Sequence, residues 1–440
     1  MHRSFKYFII KRTFLAFHTK AIVYFAQSIF LKQNTFFAQI LEIISVVCYN
    51  IATDKRAALH GSNGDNMRLE LVATCLFGLE HLLGEEIEAL GYDRISTIDG
   101  RITFAGDENA VALSNIFLRY AERVFIKLGS FRAESFEELF EGTRAIHFSD
   151  FIGKNDAFPV KGHAIKSKLH SIPDCQSIVK KAAVRSMSET YGIEQFEESG
   201  DKYQIEFFIL NDVATIMLDT SGTALHKRGY RKEANGAPIR ETLAAAIAAI
   251  SRPREEVLLW DPMCGSGTIA IEAAMKMRRI APGVNRSFAA ESFPFIKAAH
   301  WKNAREEAIE NEVDTKFEVF ASDIDPACVA LTEKNARLAG VDDVIKAFRM
   351  NALDISAPGR RATIVTNPPY GERLMELSEA EALYRKMGRH FKTLEPWQAY
   401  IITSHKGFEN LYGRRADKVR KLYNGMLPCY LYQFFKNTKK

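Results

Sequence analysis

The stretch that decides the fold of this chain is Asp261-Pro262-Met263-Cys264-Gly265-Ser266-Gly267-Thr268, which lies between two apolar runs. The run before it, 257–260, predicts a short buried strand, and the run after it, 269–275, predicts a helix. A strand that enters a helix through a glycine-rich turn brings backbone N–H groups and the helix N-terminus close to a ligand. Alone this signal is weak, because many α/β proteins use the same turn only for packing.

Two later stretches make the signal more specific. Residues 319–323 predict a second strand, which ends in Asp323, and residues 364–366 predict a third, which leads into Asn367-Pro368-Pro369-Tyr370. A methyltransferase that acts on an exocyclic amine needs a glycine turn, an acid and this tetrapeptide in that order. Because ligands of open α/β sheets bind beyond the carboxyl ends of the strands, the three motifs are expected to share one cleft.

The tetrapeptide is the predicted catalytic group. An exocyclic amine conjugated with a base is a poor nucleophile. The side-chain carbonyl of Asn367 and the backbone carbonyl of Pro368 can each accept one of its N–H groups, which draws the nitrogen lone pair out of conjugation. Pro368 and Pro369 lack N–H groups and restrict the turn. Tyr370 offers a ring on which a flipped base can stack. This chemistry needs no metal, so none is expected.

The spacing of the motifs argues against a dinucleotide enzyme. Asp323 is placed to bind a ribose diol, but it lies 56 residues after Gly267, whereas a dinucleotide fingerprint places its acid about 20 residues on. The additional residues, 278–316, read as an insertion that is expected to shape the rim of the pocket. Asp325 is predicted to cap the next helix, with Pro326 in its first turn.

The strand and helix patterns divide the chain into two halves. Residues 67–131 predict a β-α-β-β-α-β order typical of a ferredoxin-like sandwich. A second α/β unit follows, with Ser135 and Glu138 forming a capping box. From 236 onwards strands alternate with helices, which predicts a parallel sheet covered on both faces. A hairpin over 419–435 is expected to add antiparallel pairing at its edge.

Net charge gives little help in finding a partner, because the formal charge of +5 lies entirely in residues 1–66, which carry eight Lys/Arg and three acids. The rest of the chain is neutral, so an RNA-binding surface must be a local patch. We predict one over 154–185 and in the segment 225–232. Simpler readings are a solvated basic face and a polar linker. The predicted RNA-binding residues are Lys161, Lys166, Lys168, Lys180, Lys181, Arg185, Lys227, Arg228 and Arg231.

Residues 1–66 differ from the rest of the chain. The eleven uncharged residues 21–31 are too few to cross a bilayer, and a linker composition precedes Met67. We expect Met67 to be the natural start and 1–66 to be a non-native leader or a poorly ordered extension; a membrane-surface helix is the alternative. Six scattered cysteines without a C-x-x-C pair predict a reducing, cytoplasmic location without a zinc site.

From Met67 onwards the chain resembles the THUMP-domain RNA methyltransferases, and most closely the bacterial 23S ribosomal RNA guanine-N2 methyltransferases, whose relatives are often labelled N6-adenine-specific DNA methylases. The motifs that carry the resemblance are 225–231, 237–243, 261–268 and 367–373. It implies a ferredoxin-like part over 67–108, a THUMP domain over 109–220, a linker over 221–236, and a Rossmann-like methyltransferase domain with a mostly parallel seven-stranded sheet over 237–440.

The resemblance also implies S-adenosylmethionine as cofactor. Its predicted binding residues are Asp261, Pro262, Cys264, Gly265, Ser266, Gly267, Thr268, Asp323 and Asn351. Relatives often have Asp where Asn351 stands, but Asn can still accept from an adenine amine. The leading hypothesis is guanine-N2 methylation of ribosomal RNA. Alternatives are tRNA guanine-N2, nucleic-acid adenine-N6 or glutamine N5 methylation, and, in another class, a non-catalytic RNA-binding or ribosome assembly factor.

Overall fold

The computed structural model describes residues 67–231, 239–357, 359–371, 376–394 and 397–435. The predictions for 1–66 and for the boundary at 235–238 therefore lie outside the described residues. The described chain is α/β throughout and contains two seven-stranded sheets. Both sheets contribute to one hydrophobic core, which includes Leu71 and Phe207 from the first half and Ile271 and Leu431 from the second. The predicted fold class is confirmed.

The first sheet is continuous across the predicted ferredoxin-like and THUMP parts. Its strand order is β2-β3-β1-β4-β7-β6-β5, and β4 pairs with β1 on one side and with β7 on the other. The predicted division between 108 and 109 falls at the first residue of a helix that packs on this same sheet. The elements are β1 (Leu69–Cys75), α1 (Glu80–Ala89), β2 (Arg94–Ile98), β3 (Arg101–Gly106), α2 (Glu108–Phe117), β4 (Ala121–Arg132), α3 (Phe136–Arg144), β5 (Val160–Ile165), α4 (Ile172–Tyr191), β6 (Ile205–Leu210) and β7 (Val213–Asp219).

The second sheet has the order β10-β9-β8-β11-β12-β14-β13, and β8 to β12 pair in parallel. The predicted terminal hairpin is present, and β14 runs antiparallel to both of its neighbours. The elements are α5 (Glu241–Ile250), β8 (Leu258–Asp261), α6 (Thr268–Met277), α7 (Ala298–Glu310), β9 (Val319–Asp323), α8 (Pro326–Ala339), β10 (Ile345–Arg349), β11 (Ala362–Thr366), α9 (Leu377–Phe391), β12 (Gln398–Thr403), α10 (Phe408–Tyr412), β13 (Lys418–Asn424) and β14 (Leu427–Phe434).

Local sequence explains several helix starts. The Ser135 hydroxyl accepts from the Glu138 N–H while the Glu138 carboxylate accepts from the Ser135 N–H, so the predicted capping box is present. The Asp325 carboxylate accepts from the Ala327 N–H at 2.9 Å, and Pro326 begins α8. Each contact satisfies a backbone donor that has no partner inside the helix, which is why these helices begin where they do.

The insertion over 278–316 lies against the first half of the chain. Its helix α7 packs on α2, and the N–H of Gly283 donates to the carbonyl of Ile116 at 2.9 Å. A Cβ at Gly283 would lie 2.5 Å from the carbonyl oxygen of Asn115, so only glycine fits this approach. The insertion therefore forms a contact between the two halves, while its expected place at the pocket rim stays a prediction.

Candidate active site

Four predicted site residues lie in a row along the carboxyl edge of the second sheet. In spatial order they are Asn351 after β10, Asp323 at the end of β9, Asp261 at the end of β8, and Asn367 directly after β11. These four strands are consecutive neighbours in the sheet. Since adjacent strands are about 4.8 Å apart, the glycine turn and the tetrapeptide lie side by side at this edge, which is the arrangement that the predicted shared cleft requires.

Asp261 connects the two motifs through a buried hydrogen bond. The hydroxyl of Thr366 donates to Asp261 Oδ1 at 2.9 Å, which joins the end of β8 to the end of β11. The N–H of Met263 donates to the same oxygen at 3.3 Å. Burial in this dry position raises the pKa of Asp261 to about 7, although both hydrogen bonds favour the carboxylate. Thr366 was not identified from the sequence.

The two glycines of the turn have different reasons to be glycine. Gly265 has φ +54°, and a Cβ there would meet no heavy atom within 4 Å, so the side of the turn it faces is open. Gly267 has φ +78°, and a Cβ there would lie 2.7 Å from Thr332 Cγ2. The first glycine therefore leaves space for a ligand, and the second allows α6 to approach α8.

Buried polar side chains of α8 hold the turn in place. The hydroxyl of Thr332 donates to the carbonyl of Gly265 at 3.1 Å, and the amide of Asn335 donates to the carbonyl of Ser266 at 2.9 Å. Sequence reasoning missed both residues. Two polar residues three positions apart on the inward face of an amphipathic helix were the available signal, because buried polar groups require partners.

Asp323 joins the second strand to the glycine turn. Its Oδ2 accepts from the N–H of Gly265 and its Oδ1 accepts from the N–H of Asp325, both at 3.0 Å. A carboxylate has about four acceptor positions, so this half-buried side chain retains capacity for hydroxyl donors. Asn351 is also half-buried, and its Oδ1 accepts from the N–H of Leu353 at 2.9 Å.

The remaining turn residues are mostly interior. Cys264 and Thr268 are buried, and burial raises the pKa of the Cys264 thiol well above its usual value. The Ser266 and Thr268 hydroxyls lie 3.1 Å apart. Pro262 is buried next to Asp261. These residues shape the turn, while Gly265 and Asp323 line its open side.

The tetrapeptide is braced from two sides. The hydroxyl of Tyr370 donates to Asn367 Oδ1 at 2.5 Å, and the hydroxyl of Tyr384 donates to the carbonyl of Pro369 at 2.6 Å. Tyr384 also lies 3.1 Å from the Thr403 hydroxyl, so α9 and β12 both support the turn. Asn367 and Tyr370 are half-buried and Pro368 is buried. The carbonyl of Asn367 has a second lone pair, with which it can accept from a substrate N–H.

The predicted RNA-binding residues do not form one surface. Lys161 projects from β5 on the sheet face opposite α4, because its neighbour Gly162 is packed against Phe207 in the core. Lys181 and Arg185 are exposed on α4, and Arg185 Nε lies 3.4 Å from Glu189. Lys166 and Lys168 are exposed beyond β5, and Lys168 pairs with Glu134.

Lys180 is a correction to the predicted patch. Its amine lies 3.4 Å from the centre of the Phe158 ring and 2.5 Å from Glu198 Oε1. Burial lowers the pKa of Lys180, although Glu198 opposes this effect. The side chain is therefore half-buried, and its amine is already engaged by Glu198 and the Phe158 ring.

The segment 225–231 also differs from its prediction. Arg228 is 5% exposed, and with Arg119 and the Tyr230 hydroxyl it surrounds the carboxylate of Glu272 on α6, at distances of 3.1 to 3.4 Å. Arg231 Nη1 donates to the Thr268 hydroxyl at 3.0 Å, and its Nη2 lies 2.9 Å from Glu241. Of the three cations predicted in this segment, only Lys227 is exposed. Arg228 and Arg231 were predicted to face RNA, and they instead hold the first half against the helix that follows the glycine turn.

Comparison with known proteins identifies three matched regions along the chain. Residues 70–125 match the RlmL ferredoxin-like domain, 133–219 match the THUMP domain, and 228–433 match the RMKL-like methyltransferase domain. A protein of Bacillus subtilis named as a putative RNA methyltransferase, YpsC, is 43% identical over 372 residues, which are 84% of this chain and 96% of that protein. The chain belongs to this family of RNA methyltransferases.

Two further relatives define the family more closely. The ribosomal RNA large subunit methyltransferase K/L of Legionella pneumophila is 31% identical over 83% of this chain, and the match covers 53% of its own length. A solved structure titled SMU.472, a putative methyltransferase complexed with SAH, is 40% identical with a TM-score of 0.79; the match covers 85% of this chain and 99% of that one. The methyltransferase described here uses S-adenosylmethionine, and its substrate is RNA.

Within the described ranges, no group of three or more His, Cys, Asp and Glu side chains is arranged to hold a metal ion. In the same part of the chain, no helix is both long enough and apolar enough to cross a bilayer.

Proposed function

We propose that this methyltransferase modifies the N2 amine of guanine in large-subunit ribosomal RNA. The observation that carries the proposal is the hydrogen bond from Thr366 to Asp261. It fixes the first residue of the tetrapeptide beside the glycine turn, so that an amine held by Asn367 lies next to the cofactor cleft. The name of the Legionella relative supports ribosomal RNA as the substrate.

The cofactor site fits the residues present. The open space over Gly265 and the free acceptor capacity of Asp323 suit a ligand that brings hydroxyl donors to this edge. We assign Asp261, Pro262, Cys264, Ser266, Gly267 and Thr268 to the turn that supports it, and Asn351 to the adenine end. When bound, S-adenosylmethionine supplies an electrophilic methyl group.

The tetrapeptide orients the nucleophile. Asn367 Oδ1 and the carbonyl of Pro368 accept the two N–H groups of the amine, so that its lone pair points towards the methyl group. The Tyr370 hydroxyl keeps the Asn367 side chain in position, and Pro369 is held through its carbonyl by Tyr384. The rate then comes from orientation and proximity, which need no acid or base of matched pKa.

The proposed RNA-binding surface contains fewer residues than the sequence predicted. We retain Lys161, Lys166, Lys168, Lys181, Arg185 and Lys227, which are exposed. Their contacts with phosphates would be insensitive to sequence and weakened by salt. A cytoplasmic location is consistent with the five described cysteines, which form no disulfide among the described residues.

The test uses a strain that lacks this protein. We expect mass mapping of its RNA to show the loss of one N2-methylguanine from large-subunit ribosomal RNA, and we expect purified protein with S-adenosylmethionine to restore it. Loss of the modification from transfer RNA, or loss of N6-methyladenine, would replace the proposed target with one of the alternatives. Unchanged RNA, with no methyl transfer in vitro, would reject the enzymatic assignment.

A further inference from the structure

A large basic cleft lies at the opposite edge of the catalytic sheet from the methyl-transfer site. Its volume is about 1090 Å³, and it is lined by residues that precede or begin β8, β11 and β12, together with Gly78 and His81 near the start of α1. Because parallel strands run from this edge to the motif edge, the length of β11 separates the two by about 16 Å. The cleft is therefore distinct from the cofactor site.

The cleft is strongly cationic. Six of its lining residues are Arg252, Arg254, Arg360, Arg361, Lys418 and Arg420, and Glu85 is the one lining carboxylate among the described residues. Arg360 pairs with Glu318 at 2.6 Å. Within the described part of the chain, none of the other five lies within 4.0 Å of a carboxylate. This concentration of charge occurs in a chain body that is neutral overall, so it is a local feature that requires an explanation.

Strand register independently places the cleft's side chains on one face. Gln433 of β14 is directly opposite Lys418 of β13 and Tyr400 of β12, and Gln398 is opposite Thr363 of β11. Since side chains two residues apart share a face, Arg420 and Arg361 lie on the same side. The backbone pairing of the strands thus places Lys418, Arg420 and Arg361 on the same face of the sheet, where they line one concave surface.

Two buried donors in the cleft lack partners. Gln433 is 3% exposed, and its side-chain Nε2 has no hydrogen-bond acceptor among the described residues; the same is true of Arg420 Nε. Leaving a buried donor unsatisfied costs about 1–3 kcal/mol. Both residues line the cleft, so an anionic ligand entering it would supply the missing acceptors.

The spread of the cations decides between an isolated anion and a nucleic acid. They come from three separate segments, so together they can contact successive phosphates of one chain. Of the aromatic residues that line the cleft, Trp397 and Tyr400 are only 9% and 4% exposed and form its wall, whereas Phe435 is half-buried and can offer part of its ring to a base. A positively charged groove that follows the backbone is typical of proteins that bind single-stranded nucleic acid. We propose that this cleft binds a single-stranded segment of the substrate RNA, at a distance from the target nucleotide. This inference rests on the proposed RNA substrate and adds a second contact to it.

The test removes exposed cleft cations that have no carboxylate partner within the described part of the chain. Its control removes exposed cations that form only i,i+4 surface ion pairs, which contribute little to stability. The variant Arg254→Gln/Arg361→Gln/Lys418→Gln loses three charges from the cleft. The matched control Lys302→Gln/Arg337→Gln/Arg385→Gln loses three exposed charges elsewhere. The probes are protein-free large-subunit ribosomal RNA, a 12-nucleotide single strand and inorganic tripolyphosphate. Binding is measured against salt concentration, and S-adenosylmethionine binding is measured in parallel.

We expect the cleft variant to bind ribosomal RNA more weakly by on the order of 100-fold at 0.1 M salt, with a salt slope smaller by about 2, because each lost single-strand contact removes about 0.7 from the slope. The control and S-adenosylmethionine binding should be unchanged. Equal RNA affinity in both variants would overturn the inference. So would tripolyphosphate binding that RNA does not displace, since the cleft would then hold a free polyanion. Absence of RNA methylation by the unmodified protein would instead reject the proposed function.

Discussion

The carboxyl edge of the catalytic sheet and the predicted basic surface illustrate two kinds of sequence signal. At the carboxyl edge, Asp261, Asp323 and Asn367 lie on neighbouring strands, as their motifs predicted. The cations proposed as one RNA patch are instead spread over both faces of the first sheet and a buried network around Glu272. A motif at a strand end constrains position through sheet geometry, whereas a run of charge constrains only composition.

The variant expected to have the largest effect is Asn367→Ala. We expect the rate of methyl transfer to fall by about 1000-fold, because one of the two acceptors that orient the amine is lost, an effect of the size seen when a preorganised polar group is removed from an active site. Affinity for S-adenosylmethionine, measured by calorimetry, should stay within about twofold, since no residue of the glycine turn changes. Tyr370→Phe retains the ring and should cost much less.

Comparable losses in Asn367→Ala and Tyr370→Phe would mean that the hydrogen bond between these side chains, at 2.5 Å, matters more than the amine contact. Unchanged turnover in Asn367→Ala would reject the role assigned to Asn367. The strand-end motif would then have predicted function no better than the run of basic residues did.

The second test compares a buried and an exposed cation. Arg228→Gln leaves the Glu272 carboxylate, which is fully buried, with less compensation, and we expect a loss of roughly 3 kcal/mol in the free energy of unfolding. Lys181→Gln should change stability by less than about 0.5 kcal/mol. It should instead weaken RNA binding about fivefold at 0.1 M salt. Urea denaturation and RNA titration separate the two effects.

If Arg228→Gln were as stable as the parent but bound RNA poorly, the sequence-based prediction for this residue would be restored. If Lys181→Gln bound RNA normally, α4 would not belong to the RNA surface.

The smallest effect concerns the pH dependence of Asp261. Its folded pKa of about 7 lies above the usual value of 3.8, so the folded protein keeps a proton that the unfolded chain has released. Stability contributed by this group is therefore present at low pH and is lost as pH rises from about 4 to about 7. Burial raises the pKa of Glu86 to about 7 as well, so the stability that this carboxyl contributes also falls as pH rises.

Asp261→Asn isolates the contribution of Asp261, because the Asn carbonyl can still accept from Thr366 and Met263. Without cofactor, the stability of this variant relative to the parent should increase between pH 5 and pH 8 in urea denaturation, while exposed Asp314→Asn should show no such change. A difference that stays constant with pH would contradict the raised pKa.

Much of the fold could be predicted from local sequence patterns. The Ser135 capping box, the Asp325 cap and the terminal hairpin agree with the predictions, because each depends on residues close in sequence. The residues that support the glycine turn and Asp261 could not be predicted from the sequence. Thr332, Asn335 and Thr366 are ordinary polar residues, and their roles depend on partners 67, 69 and 105 positions away.

The sequence by itself determined the chemistry, since a glycine turn, a strand-end acid and Asn-Pro-Pro-Tyr specify a methyltransferase through backbone conformation and the number of available acceptors. Only the tertiary structure decided which charges face solvent. Arginines are long and charged wherever they occur in a chain, and whether Arg228 meets a phosphate or Glu272 depends on which helix packs beside it. The same is true of the basic cleft, whose cations come from three separate segments and meet only when the sheet has formed.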